Sequence, residues 1–358
     1  MKLTIGTARL QALLNKAVKG AGNNKLIPMT SLIAIKLTNG VLSLTTTDAT
    51  NYLTLVEKDV VGDEFYVAVQ VDLLAKLVSR MTCNDITLEV TDNCLSVIGN
   101  GKYEIELETE DDGTAIKLPN PTETFNKENK VGSVNSSVIL TTLTSVKPAL
   151  ATSEDYPWFT CYYVKDSITA TDTYTVADYN QGFLEDAKLI SSDVMDLLGL
   201  LTGDIAIYVD KDKTVMLFES DNGLVYGIIP NGIENYSINE IKALVNQTNM
   251  YSCKISKSAL LNLLDRVSLF VSLYDNGKIT LSFGTEYLEV TSKYATEIIP
   301  YVSGENAGQF VCSTDINTFI TQIKAQTSSE IIIEYGDDTA IKIIDGDITS
   351  VVALLTED

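Results

Sequence analysis

The chain has 358 residues, room for two or three domains of ordinary size. Its 26 Lys and Arg face 48 Asp and Glu, a formal charge of −22, so any contact with DNA needs a local basic region. It has no histidine, which excludes Ser-His-Asp and Cys-His nucleophiles and His-ligated metal sites, and its 45% hydrophobic content supports real cores.

In chain order, the first residues do not read as a signal peptide, because Arg9, Lys16 and Lys19 interrupt the apolar positions. They read as a strand and then a helix over 7–19, with Leu10, Leu13, Leu14, Ala17 and Val18 on one face. Thr38-Asn39-Gly40 parts strands 31–37 and 41–47 as a hairpin. A helix over 71–81 follows, then short strands 85–90, 94–99 and 102–108, parted by Asp-Asn and Asn-Gly turns. Leu118-Pro119-Asn120-Pro121 breaks both periods and reads as a linker.

The middle third opens with a Thr-rich helix over 136–147, whose propensity is weak. A helix over 192–201 precedes strands 204–210, 214–219 and 223–229. Residues 231–249 hold the second boundary. Helices over 257–270 and 314–325 then lead to strands 330–334, 340–344 and 350–355. Five cysteines, none spaced as CxxC, read as reduced thiols. No apolar run approaches the roughly 20 residues of a membrane span, and a soluble, cytoplasmic protein is expected.

These elements repeat. Asp72, Asp193 and Asp315 each open a helix and lie 121 and 122 residues apart, about one third of the chain. An early Asp suits a helix N-terminus. Each third reads strand, helix, strands, helix, strands, an α+β module of two helices backed by antiparallel sheet. The expected domains are 1–121, 122–246 and 247–358.

Charge divides by element. The six predicted helices hold nine basic residues (Arg9, Lys16, Lys19, Lys76, Arg80, Lys147, Lys257, Arg266 and Lys324) against five acidic ones. The rest of the chain holds 17 against 43. One surface of the molecule is thus much less negative than the others. Scattered Lys and Arg meet phosphates without reading sequence.

Three acidic α+β repeats with relatively basic helices resemble the bacterial DNA polymerase III β-subunit type of sliding clamp. Met1–Ile5, Ile27-Pro28-Met29 and Leu42–Asp48 follow that family's first domain in order and spacing. Thr169–Ala177 resembles its ATDGHRLA stretch, and Ser350–Leu355 its closing YVVMPM strand. The chain departs from it with Thr173-Tyr174-Thr175 in place of Gly-His-Arg, and with a closing strand lacking Pro and Met.

The resemblance implies three clamp domains per chain and a ring of two chains around duplex DNA. It implies no enzyme activity, no cofactor and no metal; the partners are DNA polymerase and a clamp loader. The nine helix cations and Lys25 would face DNA. Tyr103, Ile105 and Leu107, on the last strand of the first repeat, would meet another copy's third repeat. A peptide pocket would use Trp158, Thr171, Tyr174, Val176, Val351, Val352, Ala353 and Leu354. Two rival readings are a carboxylate enzyme using Asp111-Asp112 or Asp337-Asp338, which read better as turns, and a repeat-built structural or virion protein without DNA binding.

Overall fold

The computed structural model describes every residue except 111–113, 115, 154, 272–276 and 356–358. Asp111 and Asp112 therefore lie outside the described residues.

The first third contains β1 (Lys2–Gly6), α1 (Thr7–Ala17), β2 (Leu32–Thr38), β3 (Val41–Thr47), β4 (Tyr52–Glu57), β5 (Phe65–Gln70), α2 (Val71–Ser79), β6 (Asp85–Val90), β7 (Cys94–Ile98) and β8 (Lys102–Glu106). The middle third contains β9 (Lys130–Asn135), α3 (Ser136–Thr141), β10 (Cys161–Val164), β11 (Ile168–Thr171), β12 (Thr175–Tyr179), β13 (Lys188–Ser191), α4 (Ser192–Leu198), β14 (Asp204–Val209), β15 (Val215–Ser220) and β16 (Gly223–Ile228). The last contains α5 (Ile238–Asn246), β17 (Tyr251–Ser256), α6 (Lys257–Ser268), β18 (Lys278–Phe283), β19 (Tyr287–Thr291), β20 (Thr296–Pro300), β21 (Ser303–Asn306), β22 (Phe310–Asp315), α7 (Ile316–Lys324), β23 (Glu330–Tyr335), β24 (Ala340–Asp345) and β25 (Ile348–Ala353). Strand, helix, four strands, helix, three strands thus recurs three times. The last copy adds α5 and β21.

The chain forms two compact units, residues 1–137 with 193–229, and 138–192 with 230–358. The first holds a four-stranded sheet, β1-β6-β7-β8, and an eight-stranded sheet, β5-β2-β3-β4-β16-β15-β14-β9. The second holds a nine-stranded sheet, β13-β10-β11-β12-β25-β24-β23-β17-β21, and a four-stranded sheet, β20-β19-β18-β22. All these pairings are antiparallel. In each large sheet the third of one repeat's four consecutive strands pairs with the next repeat's closing strand. Tyr52 of β4 faces Tyr226 of β16, and Val176 of β12 faces Val351 of β25. Gly223 permits the first junction, because a Cβ there would lie 2.5 Å from the Thr54 carbonyl oxygen.

Helical spacing fixes the cores. In the first unit α1 buries Leu10, Leu13, Leu14 and Ala17, and α2 buries Leu74 and Val78. In the second, Leu260, Leu263, Leu264 and Val267 of α6 join Phe319, Ile320 and Ile323 of α7 in one cluster with the sheet residues.

Four expectations change. The middle helix is α-helical only to Thr141, then winds as a π-turn over Thr142–Val146 and a 3₁₀ turn over Lys147–Ala149. Of the three repeated Asp residues only Asp315 caps its helix, accepting the Thr318 amide; Asp72 and Asp193 are already the second helical residue. The boundary over 231–249 contains α5. Finally, β8 ends at Glu106, which leaves Leu107 beyond it.

Candidate nucleic-acid interface, sheet edges and peptide pocket

The helix cations fall into two groups. Several are held by the protein. Arg9 pairs with Glu57 of β4, its Nε donating to Oε1 at 2.9 Å. Lys76 pairs with Asp72 one turn back at 3.0 Å. Arg266 forms a two-pronged pair with Glu297 of β20, at 2.9 and 2.5 Å. This bonding raises the Arg266 pKa and lowers that of Glu297. Lys16 donates to the Leu200 carbonyl at 3.3 Å, and Lys257 donates to the carbonyls of Lys324 and Gln326 at the C-terminal end of α7. Lys147, half-buried, sits in the 3₁₀ turn after α3. By contrast, the exposed side chains of Lys19, Lys25, Arg80 and Lys324 have no ion-pair partner among the described residues.

The two four-stranded sheets leave β8 and β20 as edges. Gly99 donates to the Gly101 carbonyl and Leu107 to that of Asn93. By the two-residue alternation of an antiparallel ladder, Tyr103 and Ile105 bond inward to β7, while Lys102, Glu104 and Glu106 point backbone groups outward. Likewise Ser292 donates to Ala295 and Tyr301 to Glu286, so Thr296 and Ile298 face out from β20. Of the three side chains expected at this edge, Ile105 is in the core, Leu107 is half-buried and Tyr103 is exposed. The sequence reading missed the apolar surface at the other edge: Ile298 of β20, and Leu269 and Phe270 just past α6, are exposed.

The expected pocket residues gather around the turn from β11 to β12. Asp172 Oδ1 accepts the amides of Tyr174 at 2.9 Å and Thr175 at 2.6 Å, while Thr173 takes φ +80°. Asp48 and Ala49 make the same turn between β3 and β4. Both carboxylates are committed to turn amides, and Asp337 likewise accepts from Thr339 and Gln247. Thr171 is buried and donates to the Thr175 carbonyl at 2.7 Å. Tyr174 is 73% exposed, and its carbonyl accepts the Ala353 amide at 2.9 Å.

Alternation along β25 then divides the set. Val351 joins Val176, Trp158, Tyr163, Tyr236 and Ile241 on one face. Val352 points to the other face, into the α6–α7 core, against which Leu354 also packs. Leu354 also lines a groove of about 330 Å³ with Val311, Cys312 and Asp338. Trp158 Nε1 is buried without a hydrogen-bond partner. The sequence reading missed α5, which supplies Ile241, and the 3₁₀ turn before it (Ile233–Asn235), which places Tyr236; the spacing of Ile238, Ile241 and Val245 was the available signal.

No protein-family model and no curated protein matches the sequence. Solved structures match it end to end. The DNA polymerase sliding clamp of Bacillus subtilis is 18% identical, with a TM-score of 0.81 and full coverage of both chains. The DNA polymerase β subunit of Streptococcus pyogenes is 14% identical, with a TM-score of 0.84 and the same coverage. The Helicobacter pylori β clamp, solved bound to a DNA ligase peptide, is 13% identical, with a TM-score of 0.78, covering 99% of this chain and 100% of that one. Over its whole length, the chain has the fold of the bacterial DNA polymerase III β sliding clamps.

Proposed function

We propose that this chain is a DNA sliding clamp: three domains, 1–121, 122–246 and 247–358, two copies of which close head to tail around duplex DNA and tether a polymerase. One observation carries the reading: the two open sheet edges complement each other in the register that the chain already uses internally. At the β4–β16 junction, Tyr52 faces Tyr226 and Thr54 faces Leu224. The turn before β20, with Ser292 donating to Ala295, matches the turn before β4, with Asp48 donating to Asn51. Asn100 before β8 accepts the Thr82 amide as Asn222 before β16 accepts the Thr202 amide. Carrying the register across sets Thr296 against Glu104 and Ile298 against Lys102. These are the residues whose backbone groups point outward on both strands.

Edge pairing satisfies both rows of unpaired amides and carbonyls and would cover Ile298, Leu269, Phe270 and Tyr103. Such pairing propagates the repeat from chain to chain, and two three-repeat chains make the six-domain ring expected of this fold. The role is topological and involves no reaction. Its site is bacterial replication, hence the cytoplasm. Lys19, Lys25, Arg80 and Lys324 are the cations free for phosphate contact, and the remaining helix cations add to the local field. The loader and polymerase would insert peptides at the Tyr174 turn and the Trp158–Val176–Val351 cluster, whose aromatic and aliphatic side chains suit apolar anchors.

The test is topological too. The purified protein, loaded on nicked circular DNA by the loader of its host, should stay bound through gel filtration and be released when the circle is cut. Equal retention on circular and linear DNA refutes the reading, as does a particle that is not a ring in electron micrographs.

A further inference from the structure

In the first unit, a groove of about 590 Å³ runs between the β2-β3-β4-β16 face turned away from the helices and the segment 117–123. The second unit shows what such a groove is shaped to hold. Counting from the equivalent turns at Asp48 and Asp172, Ser43, Thr45 and Thr54 occupy the places of Ser167, Thr169 and Asp178, and Ala34 the place of Tyr163. In the second unit this position is filled by the chain itself. Tyr236 packs on Tyr163 with ring centroids 5.5 Å apart and donates its hydroxyl to the Thr169 carbonyl at 3.0 Å. Lys242 reaches Asp178 at 2.6 Å. In the first unit the linker prolines lead only to a 3₁₀ turn (Pro121–Glu123) and then to β9, with no α-helix between them among the described residues. Leu118 plugs one end, against Leu32, Ala34 and Ala68, with Ile116 and Tyr66 packed beside it.

The floor chemistry narrows the occupant. The Thr45 and Thr54 hydroxyls bond each other at 3.0 Å, and Ser43 bonds the Lys36 carbonyl at 3.3 Å. The methyls and Val56 are left as a small, largely apolar floor suited to an aromatic ring. Thr54 stands where Asp178 binds Lys242, so the floor of this groove has no carboxylate for a lysine. Its charged rim is Lys36, paired with Glu123 at 3.1 Å, and Lys117, exposed and without a partner among the described residues. On a chain of −22, two lysines against one glutamate mark a site for an acidic group.

We propose that this groove is a docking site for a peptide segment of a partner protein, anchored by an aromatic side chain on the threonine floor and held by a carboxylate on Lys117. Its volume is of the order of other ligand pockets, and it shares no lining residue with the Tyr174 turn.

The probe is a fluorescein-labelled synthetic peptide with the sequence of residues 233–246, the aromatic, net acidic segment that fills the equivalent place in the second unit. Anisotropy titration with the full-length protein should show saturable binding that a probe carrying Tyr236→Ala lacks. Lys117→Glu in the protein should weaken binding by roughly fivefold, the scale of one exposed charge pair. Ser43→Trp, which fills the floor, should abolish it. Lys117 is exposed and outside the sheet, so its variant decides the matter even where Ser43→Trp misfolds. Absence of saturable binding overturns the proposal, as does an affinity indifferent to Lys117→Glu.

Discussion

Asp345 shows how this acidic chain spends a carboxylate on structure. Burial raises its pKa, but the amides of Thr327 at 2.5 Å and Ser328 at 2.8 Å, with the Thr327 hydroxyl at 3.0 Å, outweigh that and hold it below the ordinary value. A depressed carboxylate contributes stability that is present above the unfolded-state value of about 3.9 and lost as pH falls through the folded value. Asp345→Ala leaves two turn amides unpaired and should cost about 2 kcal/mol at pH 7. The gap to wild type should narrow as pH falls from 7 to 3; urea midpoints at both pH values read it, and a pH-independent gap refutes the account. Tyr174 is the opposite case, exposed and bonded to β25 only through its carbonyl. Tyr174→Arg should leave assembly unchanged and abolish stimulation of the cognate polymerase in a primer-extension assay. Surviving stimulation would remove Tyr174 from the pocket. The Asp48 and Asp172 turns were readable in sequence because their Thr-Asp pattern is local. The division of Val351 from Val352 depends on the register of β25, which no local pattern states.

At the scale of elements, strands with two-residue alternation and turn residues between them were legible to within one or two positions, as at β6, β14 and β16. The Thr-rich α3 shows the limit. Thr142 and Thr144 bond the carbonyls four residues back, and the helix loosens into a π-turn there. Another segment, α5, was hidden in a polar boundary because its stability comes from tertiary anchors: Lys242 on Asp178, and buried Lys342 on the carbonyls of Val245 and Gln247 at its C-terminal end. The edge strand β8 yields a sharper prediction than the sequence alone. Pro at Ile105 would break the bond to Leu95 and disturb a core side chain. Pro at Glu104 removes an outward amide and the exposed Lys102–Glu104 ion pair, and leaves the bonds to β7 in place. Glu104→Pro should therefore give folded monomers by sedimentation, with an unchanged circular dichroism spectrum. A persistent dimer would show that β8 is not the pairing edge.

At the scale of the molecule, the repeat length was the most legible feature, since helix starts 121 and 122 residues apart need no tertiary information. The pairing of strands between successive repeats was not legible, because it joins residues as distant as Val176 and Val351. Charge was legible as a sum but not as a set of free cations. The side chains of Arg9, Lys76 and Arg266 are each neutralised by a carboxylate, whereas those of Arg80 and Lys324 have no such partner among the described residues. A phosphate competing for a paired cation must displace that carboxylate; an unpaired one loses only water and counterions. Arg80→Glu with Lys324→Glu should therefore lower the slope of log affinity against log salt by about two on duplex DNA, the value for two phosphate contacts. Arg9→Gln, at a paired position, should lower it by much less. The proposed pairing of β8 with β20 should be kept in both proteins, since neither change touches those strands. Equal slopes for the two variants would mean that pairing within the chain does not decide which cations meet DNA. A slope unchanged in both would move the DNA contact off these helices without bearing on the proposed ring.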